Sequence, residues 1–250
     1  MKVTFLGTGN ARGLPVYGST SDVSSRVRGQ PELFRTQSAV LLETEQGDLL
    51  LDAGRPDLCN LINHSKLQAI CVSHFHSDHV LGLIPIKWGT GAPVTVFHPE
   101  VKTGYADLFS EPGLLQFKPA QPFTTYIAGE FKITPLPLIH GIQTQGYAIE
   151  CGDAKMAYLC DTCGLPQESI DFLQDFQPAL TILDCNQAPG EGAGSPHNDL
   201  GLVMEIKHRA SLSTVYITHI GEGMQRWLSG EANQLPLEVH EARDGTCLYL

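Results

Sequence analysis

An α/β architecture (α+β in some classifications) is predicted by three observations. Short aliphatic and β-branched runs recur along the chain, and segments with helical spacing fall between several of them. Glycine occurs 25 times and proline 16 times in 250 residues, which fits a turn-rich sheet protein better than a helical bundle. One of the runs, Ala69-Ile70-Cys71-Val72, leads into His74-Phe75-His76-Ser77-Asp78-His79, a concentration of polar ligand types where a strand meets a turn.

Strands are expected, in chain order, over residues 3–6, 38–42, 49–51, 69–72, 94–97, 131–134, 147–150, 156–159, 180–183 and 215–218. Helix signals stand between them. Residues 80–84 can open a helix after the histidine cluster, and Pro166 suits the first turn of another running through Ile170 and Leu173. Leu200, Val203, Met204 and Lys207 fall at helical spacing, with Asn198 or Asp199 as the cap, and residues 224–228 form a short further helix. The polar stretches 18–37 and 186–198 read as surface loops. Nothing repeats and no Pro/Ser-rich linker divides the chain, so a single domain over residues 1–250 is expected.

The formal net charge of −11 disfavours general binding to nucleic acid, which calls for a basic face. It leaves room for a small anionic substrate, because bound metal ions can dominate the local field. No stretch has the length and apolarity of a membrane span, and the N-terminal residues lack a signal-peptide pattern. Seven cysteines, an odd number without disulfide rhythm, point to a reducing cytoplasm. Cys160-Asp161-Thr162-Cys163 has the spacing of a zinc or redox pair, but no second pair completes a four-thiolate site, and both thiols read as structural.

His74 and His76 alternate with Phe75, so both can face one side of an extended segment, while Asp78 and His79 follow on the turn and can reach a second ion. Three further ligand types stand directly after apolar runs: His140, Asp161 and His219. Strand ends of this kind deliver side chains to one edge of a sheet. Asp52, closing Leu49-Leu50-Leu51, can orient a ligand histidine or simply make a turn. His197 precedes a helix and can meet an anionic group there, and Asp184 ends another strand. The glycine turn Gly7-Thr8-Gly9-Asn10 is weak evidence for phosphate binding. His64, His98, His208 and His240 read as surface residues.

This set, His74, His76, Asp78, His79, His140, Asp161 and His219 with Leu51-Asp52-Ala53-Gly54 before it, resembles the ligand set of the metallo-β-lactamase superfamily. The resemblance implies a four-layered αβ/βα sandwich with a dinuclear site at one edge of its two sheets. Having Asp161 and Asp78-His79 together resembles the two-metal hydrolase branches. Nearly the whole chain resembles the PhnP family of phosphodiesterases, through segments such as Gly82-Leu83-Ile84-Pro85-Ile86-Lys87-Trp88-Gly89, Asp161-Thr162-Cys163-Gly164-Leu165-Pro166, His197-Asn198-Asp199-Leu200 and Thr218-His219-Ile220.

That family implies hydrolysis of 5-phospho-α-D-ribosyl 1,2-cyclic phosphate to ribose 1,5-bisphosphate in phosphonate catabolism, with activity on 2′,3′-cyclic nucleotides. It implies two divalent ions, Mn²⁺ or Zn²⁺. His74, His76 and His140 would hold one, Asp78, His79 and His219 the other, and Asp161 would bridge. Asp78 and His197 take catalytic roles, and a homodimer is implied. The family's additional structural zinc uses three cysteines and a late histidine. The matching positions here are Ser19, Ser21, Ser24 and Glu222, so no third metal is expected. Arg26, Arg28, Arg35 and Lys87 are the basic candidates nearest in sequence for the substrate's 5-phosphate, and each fits a solvated surface position at least as well. Competing readings are a tRNA 3′-processing phosphodiesterase, a thioesterase or glyoxalase II-like hydrolase, and a non-enzymatic metal-binding protein.

Overall fold

The computed structural model describes residues 1–101 and 105–250. Its first half alternates strands and short helices: β1 (Lys2–Gly7), α1 (Asp22–Arg28), β2 (Ala39–Glu43), β3 (Asp48–Leu51), β4 (Leu67–Cys71), α2 (Ser77–Val80), α3 (Leu83–Lys87), β5 (Val94–His98), α4 (Ala106–Ser110) and β6 (Leu115–Pro119). The second half runs β7 (Tyr126–Ala128), β8 (Phe131–Pro137), β9 (Gln145–Cys151), β10 (Ala154–Leu159), α5 (Gln167–Phe176), β11 (Leu180–Asp184), α6 (Leu200–Arg209), β12 (Thr214–Thr218), α7 (Glu222–Leu228), β13 (Val239–Glu241) and β14 (Cys247–Tyr249). Two seven-stranded sheets result, in the orders β14-β1-β2-β3-β4-β5-β6 and β13-β12-β11-β10-β9-β8-β7.

Side-chain alternation along the strands builds the layers. Val3, Phe5, Leu49, Leu51, Cys71, Phe131, Tyr147, Ile149, Met156, Tyr158 and Ile182 form the core between the sheets. Their neighbours point the other way. Leu6, Leu50, Ile70 and Val72 pack with Val80, Leu83 and Leu108 of α2, α3 and α4 on one outer face. Ala148, Ala157, Leu159 and Leu183 pack with Ile170, Leu173, Val203, Ile206 and Met224 of α5, α6 and α7 on the other. The result is helices, sheet, sheet, helices: the αβ/βα sandwich. Truncating Phe131, wholly buried between the sheets, to alanine costs about 3–5 kcal/mol on the usual scale for aromatic core deletions.

The expected strands all form, and the differences lie elsewhere. Residues 18–37 are not a plain loop: they contain α1, which Ser21 caps by accepting the Ser24 N–H at 3.1 Å. Polar composition hid this helix, whose buried face is Val23, Ser24 and Val27. Pro166 takes the N-cap position of α5 rather than its first turn. Asp199, not Asn198, caps α6 by accepting from the Leu202 N–H at 2.9 Å. Strands β7, β13 and β14 have three residues each, too short for a periodicity signal. His98 is not at the surface. It is 2% exposed, packs against Phe75, Phe109 and Phe117, and directs Nδ1 at the Pro99 carbonyl 2.8 Å away. Among the described residues no helix is long and apolar enough to cross a membrane.

Candidate metal centre

Strand ends bring the polar residues together. His74 follows β4, His76 takes the N-cap position of α2, and Asp78 and His79 sit on α2; His140 follows β8, Asp161 follows β10, and His219 follows β12. Asp52 and His219 both hold left-handed backbone, φ 54° and 58°, which turns their side chains at the strand ends. Such backbone costs on the order of 1–3 kcal/mol for non-glycine residues and persists where the surroundings enforce it. Gly54 permits the close approach of this turn to α2, because a Cβ there would meet the Asp78 carbonyl oxygen at 1.9 Å.

Among the described residues three four-donor groups form, and the third, Asp161, Asp184, His197 and His219, overlaps the second. His74, His76, His140 and Asp161 make the first, and Asp78, His79, Asp161 and His219 the second; within each, the ligand atoms all lie within 4.8 Å of one another. Asp161 belongs to both. In the second group His79 Nε2 lies 3.4 Å from Asp78 Oδ2 and 3.3 Å from Asp161 Oδ2. His219 Nε2 lies 3.3 Å from Asp78 Oδ2 and 3.4 Å from Asp161 Oδ1. In the first group His140 Nε2 is 3.3 Å from His76 Nδ1 and 3.9 Å from Asp161 Oδ2. A tetrahedral ion with donors at about 2.1 Å sets neighbouring donors roughly 3.4 Å apart, so both groups fit a divalent metal. Among the described residues the buried His79 Nε2 has no hydrogen-bond partner, which also fits a ligand atom.

The groups behind the ligands fix which nitrogen faces inward. Asp52 Oδ2 accepts from His79 Nδ1 at 2.7 Å, from Ser73 Oγ at 2.8 Å and from the Tyr158 hydroxyl at 2.8 Å; Oδ1 accepts the Ser73 N–H at 2.7 Å. Asp52 is therefore an orienting carboxylate, not a bare turn residue. His140 Nδ1 donates to the Pro196 carbonyl at 3.1 Å, leaving Nε2 for the site. Ser73 Oγ lies 3.0 Å from His74 Nδ1 and does the same there.

Charge distribution follows from these contacts. Burial opposes ionisation of Asp161, but His219 and His79 overcome it and hold the carboxyl well below its ordinary range. Burial also opposes ionisation of Asp78, and the neighbouring His219 and His79 again win. Burial, followed by the neighbouring His79, depresses His74; burial and His140 depress His76. Burial opposes a charge on His79, but Asp161 and Asp52 outweigh it and hold its pKa well above the ordinary histidine value, so an ion bound there would displace a proton.

His197 stands beside the ligands on the loop before α6. Its Nδ1 is 2.8 Å from Asp184 Oδ2, and Asp184 also accepts the Thr162 N–H at 3.1 Å. Burial lowers the His197 pKa, yet Asp184 outweighs burial and lifts it to about 9. The cleft over the centre has a volume of about 200 Å³ and is lined by Asn10, Ala11, Arg12, Asn186 and Pro196 together with six of the acidic and histidine residues above. Asn10, from the glycine turn singled out in the sequence, does reach the cleft, whereas sequence reasoning missed Arg12 and Asn186. Asn186 Nδ2 lies 3.2 Å from His219 Nδ1.

The four basic candidates lie elsewhere. Arg35 is buried and bonded to Glu241, Gln225, Thr8 and the Ala242 carbonyl. Lys87 is buried against Asp107 at 2.7 Å. Arg28 donates to the Val16 and Ser19 carbonyls, and Arg26 lines a separate cavity with Val27 and Leu33. Cys160 and Cys163 are free thiols, and Cys160 donates to Asp161 Oδ1 at 2.8 Å. The glycines of the Gly7-Thr8-Gly9 turn serve packing: a Cβ on Gly7 would lie 1.8 Å from the Gln37 carbonyl oxygen.

Ser19, Ser21 and Ser24 do converge with Glu222, but as a hydrogen-bonded clip. All three hydroxyls donate to Glu222 Oε1, at 2.9, 2.5 and 2.5 Å. Neutral hydroxyls committed to one carboxylate do not fit a structural zinc site.

Comparison with known proteins agrees with this architecture. A ribonuclease Z of Thermobifida fusca is 29% identical over 157 residues, 56% of this chain and 47% of that protein. The chain thus matches about half the length of that relative. The probable metallo-hydrolase YhfI of Bacillus subtilis is 25% identical over 208 residues, covering 77% of this chain and 83% of its own. Among solved structures, a diphosphatase from the PhnP family superposes with a TM-score of 0.82 over 99% of this chain and 96% of that one, at 24% identity. That likeness establishes the shared fold. The profile of the beta-lactamase superfamily domain matches residues 47–220, well over half of the chain, and the protein belongs to that family.

Proposed function

We propose that the chain is a two-metal phosphodiesterase that hydrolyses a cyclic phosphate on a small sugar. The specific substrate proposed is 5-phospho-α-D-ribosyl 1,2-cyclic phosphate, opened to ribose 1,5-bisphosphate in phosphonate catabolism. The observation that carries this reading is Asp161, shared by two adjacent four-donor groups beside the Asp184–His197 pair. His74, His76, His140 and Asp161 would hold one divalent ion, and Asp78, His79, His219 and Asp161 the other, with Mn²⁺ or Zn²⁺ suited to such donors. When bound, the ions would acidify a water and neutralise charge on the phosphoryl oxygens.

The chain's own residues do the rest. Asp52 holds His79 in one tautomer, and Asn186 stands against His219 Nδ1. Asp184 occupies His197 Nδ1 and keeps the ring protonated, so the Nε2 proton is free to go to the leaving sugar oxygen. A cleft of about 200 Å³ lies below the roughly 300–1,000 Å³ usual for drug-sized ligands, which supports a small substrate. A net charge of −11 speaks against a nucleic-acid partner, and the reading further includes no membrane partner, a cytoplasmic location suggested by the unpaired cysteines and, by family resemblance, a homodimer.

The ribonuclease Z relatives favour a second reading, an RNA phosphodiester as substrate for the same centre. The assay that separates them presents the Mn²⁺- or Zn²⁺-loaded protein with the ribosyl cyclic phosphate, a 2′,3′-cyclic nucleotide, bis(p-nitrophenyl) phosphate, a tRNA precursor and a thioester. Preference for the cyclic phosphates supports the proposal; turnover of the tRNA precursor or the thioester alone overturns it.

A further inference from the structure

Arg12 is the one side chain with a fixed positive charge among the described residues lining the cleft. Its guanidinium is exposed, and among the described residues it makes no ion pair or hydrogen bond. In this chain of net charge −11, Arg35, Arg55 and Lys87 are by contrast each committed to a carboxylate.

The turn that carries Arg12 is firmly anchored. Its own N–H donates to Asn10 Oδ1 at 3.1 Å, and the Gly13 N–H to the Asn10 carbonyl at 2.8 Å. Leu14 and Arg35 exchange backbone hydrogen bonds at 2.9 and 3.1 Å, and the Gly9 N–H reaches the Thr36 carbonyl at 2.7 Å. On the other side the Ile220 N–H donates to the Thr8 carbonyl at 2.9 Å, directly after His219. Gly13 holds φ +60°, and a Cβ there would meet the Arg35 carbonyl oxygen at 2.9 Å, so the turn accepts little else. A rigid backbone thus places an unpaired guanidinium fork at the rim of a metal-ligand cleft. A fork of this geometry matches a phosphate's oxygens in bidentate fashion.

We propose that Arg12 is a specificity-determining residue, binding a terminal phosphate carried by the substrate apart from the phosphodiester at the centre. The proposal rests on the phosphodiesterase reading and deepens it by assigning the residue that would hold the substrate's separate monophosphate. Arg12 takes the role for which Arg26, Arg28, Arg35 and Lys87 are out of position.

Two measurements on the metal-loaded protein test it. The first compares adenosine 2′,3′-cyclic phosphate with its 5′-phosphorylated form. Arg12→Ala lowers kcat/KM for the 5′-phosphorylated form about ten- to a hundredfold, mostly through KM, the scale of one lost charge-assisted contact, and leaves the other substrate nearly unchanged. Arg12→Lys recovers part of the loss. The second is calorimetric and needs no turnover: adenosine 3′,5′-bisphosphate binds the wild type more tightly than adenosine 3′-monophosphate, and Arg12→Ala removes the difference. A bisphosphate advantage that survives in Arg12→Ala, or an equal effect on both cyclic substrates, overturns the proposal. If the wild type cleaves neither cyclic phosphate, the phosphodiesterase reading fails while the calorimetry still decides the role of Arg12.

Discussion

His197 Nδ1 lies 2.8 Å from Asp184 Oδ2, and that carboxylate is buried without exposure. The contact fixes the ring's tautomer and, against the effect of burial, raises its pKa to about 9. An acid must hold its proton to act, so kcat/KM falls as pH rises through the pKa of His197. Replacing Asp184 by asparagine removes the charge that holds the proton. The alkaline limb of the pH–rate profile then moves to lower pH. An unmoved limb in Asp184→Asn would separate His197 from the titration.

His197→Ala removes the proton donor and none of the seven residues of the two groups proposed to hold the ions. We expect a loss of about a hundred- to ten-thousandfold in kcat on a sugar cyclic phosphate, with metal content unchanged. On bis(p-nitrophenyl) phosphate, whose leaving group departs without a proton, the loss is much smaller. Equal losses on both substrates would argue for a positioning role instead.

Metal stoichiometry discriminates between shared and separate ligands. Elemental analysis of the wild type gives about two ions per chain, since each group supplies a full tetrahedral set. His140→Ala and His219→Ala each touch one of the two groups proposed to hold the ions and cost one ion. Asp161→Ala touches both and costs most of the two. A wild-type content near three would contradict the assignment of Ser19, Ser21, Ser24 and Glu222 as a metal-free clip.

Much of this centre was legible because each ligand follows an apolar strand, where local pattern and chemistry coincide. His74, Asp161 and His219 are visible in that way, and Asp52 partly so. Partnerships made across the chain were not. The Asp184–His197 contact joins a strand end to a loop 13 residues on, and nothing in either segment specifies the pairing. Arg12 sits in an ordinary turn, and only the packing of that turn against residues 35–37 and 220 brings it to the cleft. Lys87 and Arg35 failed as phosphate candidates because residue type does not reveal burial: Lys87 lies on the same buried helical face as Leu83 and Ile86. Helix α1 escaped notice because its inward residues include a serine.

That serine, Ser24, is one of three whose hydroxyls meet Glu222. Glu222 Oε1 accepts hydrogen bonds from Ser19, Ser21 and Ser24, joining the start of α7 to the segment that opens α1. The hydroxyls of Ser21 and Ser24 favour the ionised form and hold the Glu222 carboxyl below its ordinary range. A carboxyl depressed on folding contributes stability above its unfolded pKa, and that stability is lost as pH falls through the lower folded value. Glu222→Gln keeps the shape but halves the acceptors and removes the charge. We expect it to cost about 1–2 kcal/mol at pH 7, at the low end for bonds to a charged acceptor because the group is partly exposed. Thermal melts at pH 7 show the variant below the wild type, and the gap closes as pH falls below the ordinary glutamate range. A chelator leaves the gap intact, whereas a clip that depended on metal would lose it. If the two proteins melt together at pH 7, the clip contributes nothing to holding α1 in place.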